Sequence, residues 1–150
     1  MSKNADGREG GQYARDTAVR REIEFEAAPA DVWNALTRPE LLEQWFEAEV
    51  ELDPRPGGSG RFAGADGEHR LARVDDVDEG RRLAFTWWPD DGGHEPASKV
   101  EFVLTPTRGG TRVVVTESPL TARACAATAG AGWAWRLELL VLTLLMLVRA

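Results

Sequence analysis

The sequence predicts one α+β domain in which a curved antiparallel sheet wraps a long C-terminal helix and leaves an apolar cavity between them. Three observations point there. A segment alternating with period two, Val19 to Glu26, leads directly into two short amphipathic segments. A series of short alternating segments follows, punctuated by glycine and proline turns. From about Thr121 to Val148 the chain turns alanine-rich, then leucine-rich, and contains no proline.

The elements can be taken in order. Met1 to Thr17 is polar, carries Gly7, Gly10 and Gly11, and shows no hydrophobic period, so residues 1–17 read as a flexible leader and 18–150 as the domain. Val19, Arg21, Ile23 and Phe25 alternate with Arg20, Glu22, Glu24 and Glu26, which marks a half-buried strand. Pro29 suits a helix first turn and Asp31 complements the dipole there. Val32, Trp33, Ala35 and Leu36 give that helix its apolar face. Pro39 opens a second short helix bearing Leu41, Leu42, Trp45 and Phe46.

Six short strands are then expected, over Glu47 to Leu52, Arg61 to Ala63, Leu71 to Val77, Leu83 to Trp88, Ser98 to Leu104 and Thr111 to Glu117. The turns between them hold Gly57, Gly58 and Gly60, then Gly64 and Gly67, then Gly109 and Gly110, as an antiparallel meander requires. The final helix is apolar nearly all round over Leu137 to Val148, so it needs cover nearly all round. That run is much shorter than the ~20 residues a bilayer crossing takes, so no membrane span is expected.

Composition narrows the function. The chain has 150 residues and a net charge of −7, a sign that disfavours nucleic acid and anionic membrane surfaces as partners. Cys125 is the single cysteine, which excludes an intrachain disulfide and a cysteine-based zinc site. The start of the chain lacks the apolar core of a secretory signal, so a cytoplasmic address is expected. His69 and His94 have no metal-ligand spacing, and no metal or cofactor is expected. Ser59 sits in a Gly-Gly-Ser-Gly turn with no nucleophile-elbow spacing. Asp75, Asp76, Asp78 and Glu79 read as a solvated turn.

The stretch from Phe25-Glu26-Ala27-Ala28-Pro29 through Trp33-Asn34-Ala35-Leu36-Thr37, then Pro39, Leu42 and Trp45-Phe46, carries a resemblance. So do the Gly57-Gly58-Ser59-Gly60-Arg61-Phe62 turn, Val74 to Trp88, Gly110 to Ser118, and Gly132-Trp133 with Leu137 and Leu140. In this order and spacing they resemble the START-like (SRPBCC) superfamily, within it the branch of the activator of heat-shock protein 90 ATPase homologues. The resemblance implies a helix-grip fold, a sheet of about seven strands gripping the last helix, and in many relatives a cavity for a hydrophobic small molecule. Two departures stand out: Pro119 occupies a place where glycine is common, and the last helix is unusually rich in leucine.

Six tryptophans in 150 residues suit rigid cavity walls. Alternation and the helix-grip layout nominate Trp45, Phe46, Phe62, Phe85, Trp87, Phe102, Trp133 and Leu137 as cavity lining. Glu117, in phase with Val113 and Val115, and His69, in phase with Leu71, are the polar candidates for its interior. Either could orient a ligand's polar end or act as acid or base. No set of catalytic residues is recognisable. The expectation is a non-enzymatic binder of a hydrophobic small molecule. The alternatives are a protein-interaction or co-chaperone-like module acting as a homodimer through its C-terminal helix, and a cyclase- or hydratase-type enzyme using a cavity acid or base.

Overall fold

A computed structural model describes residues 18–64, 67–93, 96–120 and 133–149, with side chains of the last stretch described for 136–145. The leader, His94, Cys125, the upstream part of the C-terminal helix and the Trp133 side chain lie outside the described residues. The elements run β1 (Val19–Phe25), α1 (Pro29–Thr37), α2 (Pro39–Phe46), β2 (Ala48–Leu52), β3 (Ser59–Gly64), β4 (His69–Asp78), β5 (Arg82–Pro89), β6 (Ser98–Thr107), β7 (Gly110–Pro119) and α3 (Trp133–Arg149).

All seven strands form one antiparallel sheet in the order β1-β7-β6-β5-β4-β3-β2. The strands β2 to β7 are thus a simple meander, and β1 closes the far side by pairing Val19 with Glu117 and Phe25 with Thr111. Pro29 and Pro39 each stand in a helix first turn, with Asp31 and Glu40 supplying negative charge beside the unpaired N–H groups. Arg38 is extended (φ −85°, ψ 122°), as the residue before a proline prefers. It therefore ends α1 and starts α2 without a connecting loop. Glu47 ends α2 in the left-handed conformation (φ 55°, ψ 49°) and turns the chain straight into β2.

Strands β3 to β7 run one to three residues beyond their predicted ends, with the glycines at 60 and 110 serving as strand residues in β3 and β7, whereas β2 starts one residue later than predicted. At Gly60 a side chain would crowd Leu52 and Ala72 at 3.1 and 3.3 Å, so its absence lets the neighbouring strands close up. A shift of register between Val74 and Asp76 bends β4 against β5.

The core fills the concave face. Phe62, Val74, Leu83, Phe85, Trp87, Val100, Phe102, Val113 and Val115 project from the sheet and are buried. Val32 and Leu36 of α1, Leu42 and Trp45 of α2, and Leu137, Leu140 and Leu144 of α3 meet them. The helix α3 packs on α1, α2 and β1. Trp45 is fixed by an indole N–H donated to the Ala35 carbonyl at 2.9 Å, which ties α2 to α1. Among the described residues no helix is long and apolar enough to cross a membrane.

Candidate functional site

Strand alternation and the two short helices bring six of the nominated aromatics into one connected group. Phe46 lies 4.4 Å from Trp45, 5.0 Å from Phe62 and 6.2 Å from Trp87, centroid to centroid. Phe85 joins Trp87 at 5.5 Å and Phe102 at 6.3 Å, and Phe102 meets Trp45 edge-on at 6.1 Å. Most of these contacts are tilted or edge-to-face, the arrangements that ring quadrupoles favour. Five of the rings are almost wholly buried, and Phe46 is half-buried at the α2 end. Leu137 of α3 belongs to the same core.

The polar end of this group is built on three adjacent strands. Trp87 of β5 donates its indole N–H to Glu117 Oε2 at 2.7 Å and to Ser98 Oγ at 3.0 Å. The Ser98 hydroxyl, on β6, donates in turn to the same Glu117 oxygen. Glu117 shares the inward face of β7 with Val113 and Val115 and is 3% exposed. A carboxylate at that depth is tolerated because donors satisfy it.

Two guanidinium groups complete the end. Arg70 of β4 lies 4.6 Å over the Trp87 ring, and Arg136 of α3 lies 5.0 Å over Phe46 and 5.5 Å over Trp87. At these distances the positive charge of a guanidinium is attracted to the negative face of the ring. Arg70 also donates to Glu68 at 3.0 Å, a pair in which Glu68 is largely exposed.

The structure separates His69 from the rest. Along β4 the inward face carries Arg70, Ala72 and Val74, whereas His69, Leu71 and Arg73 point the other way; His69 is exposed. Leu71, only half-buried, had suggested the opposite phase. His69 instead borders an open groove of about 770 Å³ on the outer face, together with Glu43, Glu47, Glu49, Glu51 and Arg61.

Arg70, Ser98 and Arg136 are the residues that sequence reasoning passed over. Each had a signal. Ser98 is in phase with Val100 and Phe102, and Arg70 with Ala72 and Val74. Arg136 precedes Leu140 and Leu144 by four and eight residues, which places it on the buried stripe of α3.

Other charges face solvent and serve the sheet. The Arg82 guanidinium is held above its ordinary value by hydrogen bonding to Glu101, with Asp76 adding to the effect. Asp75 accepts from the Thr86 hydroxyl at 2.6 Å. Asp75, Asp76 and Asp78 thus belong to β4 rather than to the expected solvated turn, with Asp75 and Asp76 paired on the sheet surface, and among the described residues no three His, Cys, Asp or Glu side chains cluster closely enough to hold a metal ion.

A seven-stranded antiparallel sheet gripping a C-terminal helix, with two short helices after the first strand and an aromatic interior, defines the helix-grip class of the START-like superfamily. Residues 26–144 match the family described as activator of Hsp90 ATPase homolog 1-like protein, and the chain belongs to that family. A protein of Mesorhizobium loti of known structure is 29% identical, with a TM-score of 0.75 over 85% of this chain and 96% of its own. One from Rhizobium leguminosarum is 28% identical, with a TM-score of 0.71 over 85% and 93%. A protein of the dynemicin biosynthetic locus is 29% identical, with a TM-score of 0.72; the match covers 84% of this chain and 46% of that one. A search of curated proteins finds no match.

Proposed function

We propose that this protein binds a hydrophobic small molecule between the sheet and α3, in the cytoplasm and without turning it over. The observation that carries the reading is the connected aromatic group from Trp45 to Trp87, which ends in the Glu117 carboxyl held by Trp87 and Ser98 and in two guanidinium groups close to its rings. Apolar walls with few, fixed polar groups are what a small-molecule site needs, the walls supplying affinity and the polar end orientation. The relative from the dynemicin biosynthetic locus agrees with a small-molecule setting. The test is native mass spectrometry of the purified protein, followed by organic extraction and mass analysis. A co-purifying hydrophobic molecule released on denaturation is expected. Protein that stays free of ligand, and that takes up no apolar probe on titration, would defeat the proposal. A bound molecule chemically altered during incubation would move the reading to an enzyme with Glu117 as its acid or base.

A second reading, a homodimer through α3, is favoured by Leu142 and Leu145, which are 56% and 41% exposed on that helix. It predicts that the wild type sediments as a dimer and that Leu142→Glu with Leu145→Glu gives a folded monomer. A wild type that sediments as a monomer at high micromolar concentration would refute it.

A further inference from the structure

Strand β2 closes one end of the sheet: β3 pairs with it on one side, and among the described residues no strand lies on the other. The Val50 N–H faces that open side and is met there by a side chain, Glu43 Oε2 of α2 at 3.0 Å. The Asp53 N–H, by contrast, turns back to the Ser59 carbonyl. Alternation therefore directs the N–H and C=O groups of Ala48, Val50 and Leu52 to the open side, and those of Glu49 and Glu51 to β3. We propose that this edge takes up an extended basic peptide as an added strand, with lysine or arginine at alternate positions. This partnership is independent of the interior site.

The open groove of about 770 Å³ along β2 sets the sign of the partner. Glu43, Glu47, Glu49 and Glu51 border it, so even with His69 charged as well as Arg61, four carboxylates face two cations. Among the described residues Glu47, Glu49 and Glu51 form no ion pair. The charges next to the groove cancel among themselves, Asp53 with Arg55 and Glu68 with Arg70. The helix α2 has no basic residue in its last turn, so its carbonyl end adds to the negative potential. Glu49 and Glu51 stand exposed on one face of β2, two positions apart, which is the spacing of alternate side chains on an added strand. A peptide laid beside β2 thus sets two basic side chains against the two carboxylates, and its intervening residues fall beside Val50 and Leu52 on the other face. Its backbone replaces Glu43 at the Val50 N–H and leaves that carboxylate free for a cation. Main-chain pairing supplies affinity and alternate side chains supply selectivity, as in other peptides that extend a sheet. The same two glutamates reject a second copy of β2, because pairing would bring like charges face to face.

Fluorescence anisotropy with two labelled peptides, each of four lysines and three valines, tests the proposal. In one the residues alternate; in the other all the lysines precede the valines. The alternating peptide is expected to bind about fivefold more tightly than its isomer, since only its lysines share one face of a strand. Glu49→Gln together with Glu51→Gln should weaken the alternating peptide about tenfold, the loss of two exposed ion pairs. Far-UV circular dichroism should be unchanged in that variant, because both side chains point to solvent. N-methylation of one set of alternate peptide amides should abolish binding, and methylation of the other set should leave it, because only one set faces β2. Equal affinity for the two isomers, an unaffected double variant or equal losses from both methylated sets would overturn strand addition. So would the absence of saturable binding to the alternating peptide.

Discussion

The hydrogen bond between Trp87 and Glu117 gives a quantitative test of the polar end, through a double-mutant cycle. Trp87→Phe removes the indole N–H that Glu117 Oε2 accepts at 2.7 Å, and it also empties part of the ring's volume. The missing ring atoms cost ~1–2 kcal/mol and the lost donor a similar amount, so the single variant should lose ~2–4 kcal/mol. Glu117→Leu keeps most of the side-chain volume and deletes the acceptor. Trp87 then still has Ser98 Oγ at 3.0 Å, while the Ser98 hydroxyl loses the oxygen it donates to. That variant should lose ~1–3 kcal/mol. The double variant should be more stable than the sum of the singles predicts, by ~1.5–3 kcal/mol, because a charge-assisted bond can be lost only once. Urea unfolding followed by far-UV circular dichroism is the suitable assay, since one variant alters the tryptophan signal itself. The m-values must agree for the comparison to hold. Losses that add within about 0.5 kcal/mol would show that the indole and the carboxylate do not sense each other, and the reasoning would fail.

Two further outcomes test the frame around that site. Gly110 lies where a Cβ would fall 1.9 Å from the Phe25 carbonyl oxygen, so Gly110→Ala should force β1 away from β7 and cost at least ~2 kcal/mol; amide hydrogen exchange in β1 should rise, and an unchanged exchange pattern would contradict the seam as described. Phe102→Ala opens a hole in the middle of the aromatic group and should cost ~3–5 kcal/mol by chemical denaturation, with a loss under 1 kcal/mol indicating a core that repacks freely.

The fold was legible in the sequence because its signals are local. Two prolines mark two helix starts, glycine turns separate the strands, and alternation gives most strand faces, as at Leu83, Phe85 and Trp87. Glu117 could be placed inward for the same reason: two valines at matching phase outweigh one charge. The phase of β4 was misread because His69 and Leu71 are one plausible face and Arg70 and Ala72 another. Small alanine is the buried one, since it sits opposite the bulky Trp87 across the β4–β5 pairing. Hydrophobicity alone ranks leucine above alanine and so selects the wrong side. The arginines were missed on a related ground. Nothing in composition distinguishes an arginine lying close to an indole from one in water, because its long stem reaches either environment. The phase of Ser98 with Val100 and Phe102 gave its face but not its role, which exists only through partners 11 and 19 positions away.

The pairing of β1 with β7 has a consequence for how the protein is made. The first strand of the sheet finds its neighbour only in the last, with Phe25 opposite Thr111 and the Thr111 hydroxyl bonded to the Ala27 carbonyl at 2.8 Å. At synthesis rates of roughly 5–20 residues per second, β1 waits on the order of 5–20 s after it is made before its partner exists. During that interval the strands β2 to β6 can form their hairpins in sequence, each next to the one before. Strand β1 meanwhile presents an unpaired edge, and its Arg20, Arg21, Glu22 and Glu24 are the kind of charged residues that discourage an edge from pairing with another nascent chain. The alternation that first revealed the strand is therefore also what protects it until the sheet can close.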